Sequence, residues 1–385
     1  MHSDRNNDNL LFATGEASYV TDASHTSDLD DQECAHQPLL LLTFKLVLVG
    51  VIGASIALLS IANNLILLYT FLSSKRRPER NLTYLTCLSF CDLLISIFYI
   101  TIMSVQVYAE FFEYFPLFAA WHDCLPILFT LSNVTSATGS FLLVAATIER
   151  YLQTMKSARS VFLCKKMSEH RHFGVFLAIM IGMIFRGSIF FEIEIYRLPH
   201  CTGLSSMGVV LSQIASNPYY DSIWRFWIRR IVTIFLPFFV LAYCNSAILY
   251  SVQSDEAKDQ RVKTLMLFLA KGTPRRYVQR PFRPSIQKSP RVRSATRMLI
   301  AVVSCYLIAN LLDVILATWE YIDGESLAEM SAFYTVATDI SSLLSVLSSC
   351  LRLPIYLLID KKMSNDSVLE LFCGQQFSTS DNRAK

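Results

Sequence analysis

The stretch Thr43–Leu72 reads TFKLVLVGVIGASIALLSIANNLILLYTFL, an apolar run interrupted by a single charge, Lys45. A bilayer core about 30 Å thick needs roughly 20 mostly apolar helical residues, so this run is long enough to cross one. Six more runs of the same kind follow, at about Leu82–Tyr108, Cys124–Leu152, Phe173–Ile195, Ile228–Val252, Thr296–Trp319 and Ala332–Ile359. The expected fold is an all-α membrane protein, a bundle of seven transmembrane helices (spans 1 to 7) that leaves no room for a second domain. Composition agrees: 53% of the 385 residues are hydrophobic and 17% charged, more apolar surface than a soluble chain of this length buries. The first 37 residues are polar and acidic and lack the basic start and short apolar core of a secretory signal, so span 1 is expected to direct insertion.

Charge is segregated between the loops. Lys75, Arg76, Arg77 and Arg80 follow span 1, and Lys156, Arg159, Lys165, Lys166 and Arg171 follow span 3. The stretch after span 5 carries Lys258, Arg261, Lys271, Arg275, Arg276, Arg280, Arg283, Lys288, Arg291 and Arg293. Acids cluster on the other side: Asp22, Asp28, Asp30, Asp31 and Glu33 before span 1, Glu110, Glu113 and Asp123 after span 2, and Asp323, Glu325 and Glu329 after span 6. Because Lys and Arg hold a loop in the cytoplasm, the amino terminus is expected outside and the carboxyl terminus inside, in the plasma membrane. That divides the chain into an extracellular acidic tail (1–42), the transmembrane domain (43–359) with its basic cytoplasmic loop (253–295), and a cytoplasmic tail (360–385). The basic loop lacks the interleaved aromatics that stack bases, so its expected partners are membrane lipid and protein, not nucleic acid.

Two motifs stand out against this background. Leu88-Ser89-Phe90-Cys91-Asp92 places an acid in the middle of an otherwise uncharged span 2, where a carboxylate is costly without a partner or a function. Glu149-Arg150-Tyr151 ends span 3, either as snorkelling charges at a helix end or as working residues. Together with Asn63-Asn64 in span 1, Pro237 in span 5 and Tyr356 in span 7, these residues resemble rhodopsin-like (class A) G-protein-coupled receptors over about Ser60 to Met363. A narrower resemblance, to invertebrate FMRFamide-type neuropeptide receptors, rests on four segments. These are Thr138-Gly139-Ser140 running on to Glu149, Phe190-Phe191-Glu192, Met298-Leu299-Ile300-Ala301-Val302-Val303, and Asp339-Ile340-Ser341-Ser342-Leu343-Leu344 with Ser348-Ser349.

The resemblance implies a receptor for an extracellular peptide that signals through a heterotrimeric G protein, with arrestin and a receptor kinase as further partners and no cofactor. It implies a resting ion pair between Glu149 and Arg150, with Tyr151 beside them and Tyr356 swinging toward the same cavity on activation. It also implies a disulfide between Cys124 and Cys201, although the interval from Cys124 to Arg150 is one residue longer than the family's; two free thiols are the alternative, and Cys34 is left unpaired. Departures concern the switch. Span 6 reads Ala309-Asn310-Leu311-Leu312 where relatives have Cys-Trp-x-Pro, so no proline kink is encoded. Span 7 reads Arg352-Leu353-Pro354-Ile355-Tyr356 in place of Asn-Pro-x-x-Tyr. Arg352 is expected either to pair with Asp92 and replace the family's sodium ion, or to snorkel to the cytoplasm. Asn245 replaces a span 5 tyrosine found in relatives.

A peptide ending in Arg-Phe-amide presents a guanidinium and a ring, which suit carboxylates and aromatic walls. Asp313 is the first candidate acid, with a buried pair to Arg186, Arg229 or Arg230 as its alternative. Glu192, Glu320 and Asp339 stand behind it, the last two as a solvated rim. Phe190, Phe191, Trp319 and Tyr334 are candidate walls or membrane-interface anchors. Lys361 to Phe372 is expected to form a short amphipathic helix, with Cys373 a lipidation candidate. No phosphate-binding loop, metal-ligand cluster or activated nucleophile is present, so no enzyme is expected. Span 7 has no lysine for a retinal Schiff base. The remaining alternatives are a chemosensory receptor for a small molecule and a transporter, the latter disfavoured because no internal repeat is seen.

Overall fold

The computed structural model describes residues 41–73, 83–155, 157–199, 201–272, 290–322 and 330–359. Seven helices among them are long and apolar enough to cross a membrane: span 1, Leu42–Ser73; span 2, Thr83–Phe111; span 3, Phe115–Thr154; span 4, Arg171–Phe191; span 5, Tyr220–Val262; span 6, Thr296–Glu320; and span 7, Ser331–Ile359. Their outer faces carry exposed apolar side chains such as Leu58, Leu59, Phe173, Phe176 and Phe239, whereas Asn64, Asp92, Glu149, Asp339 and Arg352 are buried. Apolar outside and polar inside suits lipid as solvent, because a polar group facing hydrocarbon has nothing to bond.

Several expected boundaries shift. Span 4 ends at Phe191 instead of Ile195, because Ile193–Arg197 form a strand, and span 5 runs to Val262 instead of Val252. Span 3 begins at Phe115 instead of Cys124, with a proline in its first turn, where the missing N–H costs nothing and the fixed φ favours the helix. Span 5 begins at Tyr220 instead of Ile228. Its first segment, Tyr220–Arg229, winds in wide π-helical turns and carries a buried Arg229; Asp221 and Arg225 are the charges that broke the apolar run on which the expected boundary was drawn. A further helix, Ala158–Glu169, joins spans 3 and 4 and buries none of its residues. Between spans 4 and 5 the chain forms an antiparallel hairpin, β1 (Ile193–Arg197) and β2 (Met207–Leu211), in register Ile193↔Leu211 to Arg197↔Met207. Ile193, Ile195 and Val209 of the hairpin pack onto Trp121 and Leu125 of span 3, so the hairpin folds over one end of the bundle.

Span 3 runs through the centre. Its Leu142 and Leu143 join Phe71, Leu241, Val303 and Tyr356 in a core shared by spans 1, 3, 5, 6 and 7. Two helical segments of span 6 meet at Asn310. The Asn310 side chain donates to the Tyr306 carbonyl at 2.8 Å, which its own backbone N–H also reaches at 3.0 Å, so the side chain shares that carbonyl with the helix ladder.

Spans 3 and 4 meet at Gly182, where a Cβ would lie 2.5 Å from Thr138 Oγ1 and 3.0 Å from the Val134 carbonyl oxygen. Small residues let membrane helices approach this closely. Gly182→Val is expected to force the two helices apart at a cost of about 1–3 kcal/mol, read as a lower thermal midpoint of the purified protein; an unchanged midpoint would refute the close approach.

Candidate functional site

Below the hairpin a cavity of about 330 Å³ opens between spans 2, 3, 5, 6 and 7. A second, of about 240 Å³, lies toward the hairpin. Phe129, Asn133, Arg186, Ile234 and Asp313 line both, so the two form one continuous recess. Its floor is closed by Ser140 of span 3 and the Tyr306 hydroxyl of span 6, 2.6 Å apart. Together the cavities have the size and the mix of apolar wall and sparse polar groups that ligand pockets show.

The structure sorts the candidate ligand residues sharply. Asp313 faces both cavities and accepts a hydrogen bond from Ser341 of span 7; it forms no ion pair with Arg186, Arg229 or Arg230. Tyr334 lines the upper cavity. Glu192 lines it too, but Arg229 Nη1 donates to its Oε2 at 2.9 Å and the Tyr220 hydroxyl to its Oε1 at 2.7 Å. Glu320 is held bidentately by Arg230 at 2.6 and 2.7 Å. Asp339 pairs with Lys45 of span 1 at 3.7 Å, both side chains buried. The expected solvated rim of Glu320 and Asp339 is therefore overturned: each acid found a cation on a neighbouring helix and went inside with it. Phe190 and Phe191 are 44% and 63% exposed and line neither cavity, because the turn at Gly187–Phe191 points them outward. Trp319 packs against Phe333 with ring centroids 5.8 Å apart, also outside the cavities.

In the middle of the bundle Arg352 and Asp92 form a buried ion pair. Ser349 donates to Asp92 Oδ1 at 3.0 Å, and Asn64 and Asn63 donate to the carbonyls of Ser349 and Cys350 at 3.4 and 3.0 Å. Spans 1, 2 and 7 are thus joined around one carboxylate. Snorkelling of Arg352 is ruled out by its burial.

At the end of the bundle away from the hairpin, the expected Glu149–Arg150 pair is absent. Arg171, at the start of span 4, takes Glu149 with two nitrogens, Nε to Oε2 at 3.0 Å among them. Arg150 Nη1 donates instead to Gln153 at 2.9 Å. Adjacent residues on a helix point about 100° apart, so a guanidinium arriving from another helix reaches Glu149 more squarely than Arg150 does. Tyr151 packs near Tyr243 of span 5, centroids 6.0 Å apart. Asn245 donates to Ser304 Oγ at 3.0 Å, an inward bond between spans 5 and 6 where relatives use a tyrosine. Tyr356 is 1% exposed and packs against Phe71 at 5.9 Å.

The expected Cys124–Cys201 bridge is corrected as well. Cys124 is free and exposed, while Cys201 is buried and disulfide-bonded. Cys124 lies on the outward stripe of span 3 with Ile127 and Leu131, and Trp121, His122 and Leu125 face inward. The expected helix along Lys361 to Phe372, Cys373 and the acidic tail lie outside the described residues.

Sequence reasoning missed Lys45 as a partner and Arg186 as a cavity residue. The one available signal was that each is a lone cation in an apolar run.

Removing one partner of a buried ion pair strands the other and costs about 3–5 kcal/mol. Asp92→Asn and Arg352→Gln are each expected to lower the thermal midpoint, and the double variant to lose less than the two together; additive losses would show that the pair does not couple. Cys124→Ala is expected to leave folding and non-reducing mobility unchanged, whereas Cys201→Ala should impair both. Impairment by Cys124→Ala would restore the bridge.

The family described as 7 transmembrane receptor (rhodopsin family) matches the chain over residues 63–355. No curated protein matches it. The family match spans most of the sequence, from Asn63 of span 1 to Ile355 of span 7. The chain belongs to the rhodopsin family of seven-transmembrane G-protein-coupled receptors, multi-pass membrane proteins that bind a ligand and signal through heterotrimeric G proteins.

Proposed function

We propose that this receptor responds to an extracellular peptide, an amidated one of FMRFamide type, with the hairpin end facing outward from the plasma membrane. Loop charge supports the orientation, since the basic stretches following spans 1, 3 and 5 all belong to the opposite end. The observation that carries the ligand reading is Asp313: the carboxylate facing both cavities whose hydrogen-bond partner is a serine, not a cation. A peptide guanidinium would complete it. A ring beside that guanidinium would meet Phe129, Ile234 and Tyr334. The segments shared with FMRFamide-type receptors favour the same ligand class.

Signalling is a population shift that a ligand drives by binding one state better than the other. In the resting arrangement Arg171 occupies Glu149, so the contact to be broken is between spans 3 and 4 and not within span 3. Arg150, bonded to Gln153 and not to Glu149, engages the G protein by leaving Gln153, and Tyr356 leaves its place beside Phe71. The guanidinium of Arg352 sits where a sodium ion would neutralise Asp92. Arrestin and a receptor kinase complete the expected partners.

Screening amidated peptides on cells expressing the receptor is expected to give a second-messenger response, with Asp313→Asn lowering potency roughly 10- to 100-fold, the loss of one charge-assisted bond. A response confined to small odorants would overturn the peptide reading. Agonist affinity is expected to be the same with sodium as with an organic cation at about 0.15 M ionic strength; a sodium-specific drop would show that Arg352 has not replaced the ion.

A further inference from the structure

The recess is lined by four arginines, Arg186, Arg225, Arg229 and Arg230, against three carboxylates, Glu192, Asp313 and Glu320. Three of the arginines are matched: Arg229 to Glu192, Arg230 to Glu320, and Arg225 to Asp221 at 2.8 Å. Arg186 is not. It stands where the two cavities join, and its Nη1 reaches the side-chain oxygen of Asn133 at 3.3 Å, a long bond. Its Nε is buried with no acceptor. Among the described residues it makes no ion pair. Asp313 shares the recess and lies near enough for its charge to be felt, yet its carboxylate is bonded to Ser341 of span 7 and makes no ion pair with Arg186.

A guanidinium in this position has few ways to reduce its cost. It stays protonated, and inside a membrane bundle a charge is expensive unless paired. It also presents a planar fork of donors that a carboxylate fits bidentately. The neutral amide oxygen of Asn133 satisfies one donor and none of the charge.

We infer that Arg186 is a ligand subsite for a carboxylate, so that the natural agonist carries an acidic group as well as the cation that meets Asp313. This rests on the peptide reading given above. An amidated peptide has no terminal carboxylate, so the acid belongs to an Asp or Glu side chain within the peptide. The recess then holds opposite charges apart, each waiting for its counterpart on one ligand, and a ligand bearing both is selected over a purely cationic one.

The test uses purified full-length receptor in dilute zwitterionic buffer free of chloride and of carboxylate counter-ions, so that no buffer anion competes. Three peptide probes are compared for binding: N-acetyl-Arg-Phe-amide, which carries the cation alone; N-acetyl-Asp-Arg-Phe-amide, which adds a side-chain acid; and N-acetyl-Arg-Phe with a free carboxyl terminus. Phenylacetate and phenylacetamide, read by thermal denaturation, form a second arm that owes nothing to peptides. Both acid-bearing peptides are expected to bind on the order of tenfold tighter than the amide without acid, with the gap closing in Arg186→Gln. Phenylacetate, but not phenylacetamide, should stabilise the native protein and not the variant. Arg186→Lys keeps the charge without the fork and should retain part of the preference, which guards against a variant that fails to fold. Equal binding of all three peptides, unchanged in the variants, together with no effect of phenylacetate would overturn the subsite and leave the peptide reading intact. Stabilisation by phenylacetate through Arg186 with no peptide bound would overturn the peptide reading and keep the subsite. No effect in either arm would overturn both.

Discussion

A charge held inside a membrane bundle has to find its opposite there, because neither lipid nor bulk water will take it. The helix arrangement follows this constraint closely. Lys45 and Asp339 join span 1 to span 7, and Asp92 and Arg352 join span 2 to span 7. Glu149 and Arg171 join span 3 to span 4; Glu192 and Arg229 tie the end of span 4 to span 5; Arg230 and Glu320 tie span 5 to span 6. Where the ring of charges has a gap between spans 2 and 3, a neutral bond fills it, from the Trp121 indole to the Ile102 carbonyl at 3.0 Å. Apolar packing alone does not choose among helix rotations in lipid, since tails and leucines are alike; these pairs do.

The same constraint explains what could be read from the sequence. Seven apolar runs announce seven helices, because a span must satisfy its own backbone. Asp92 and Arg352 were legible as partners because one is the lone charge of its run and the other the lone cation of its own. Span 5's true beginning was not legible, since Asp221 and Arg225 resemble a loop until they are known to pair with each other one turn apart. Nor could Arg171 be assigned to Glu149, which lies on another helix and had a nearer arginine beside it. Proximity in sequence misled there, because neighbours on a helix diverge.

Span 3 shows how helical phase decides chemistry. Each step along the helix turns the side chain by about 100°. Cys124 then joins Ile127 and Leu131 on the apolar outer stripe, and His122 takes an inward place, with its Nδ1 2.9 Å from the Phe118 carbonyl oxygen. The hairpin covers that end through Ile193, Ile195 and Val209 on Trp121 and Leu125, so its placement rests on apolar packing against span 3 and not on a bridge to Cys124. Asn310 makes the complementary point in span 6, where its side chain shares the Tyr306 carbonyl with its own backbone N–H and the ladder stays intact.

Once pairs account for helix placement, the exceptions acquire meaning. A polar group that holds the bundle together is unavailable to a ligand without a structural cost, and this removes Glu192, Glu320 and Asp339 from the set of free contacts even though all three looked suitable as carboxylates. Asp313 and Arg186 remain, one bonded to a serine and the other to an asparagine. They lie on spans 6 and 4 and line the same recess. A ligand that engages both would bear on spans 4 and 6 at once and, through Ser341, on span 7. That helix carries both Asp339 and Arg352, so the pairs that fix its position are the ones such a ligand would strain.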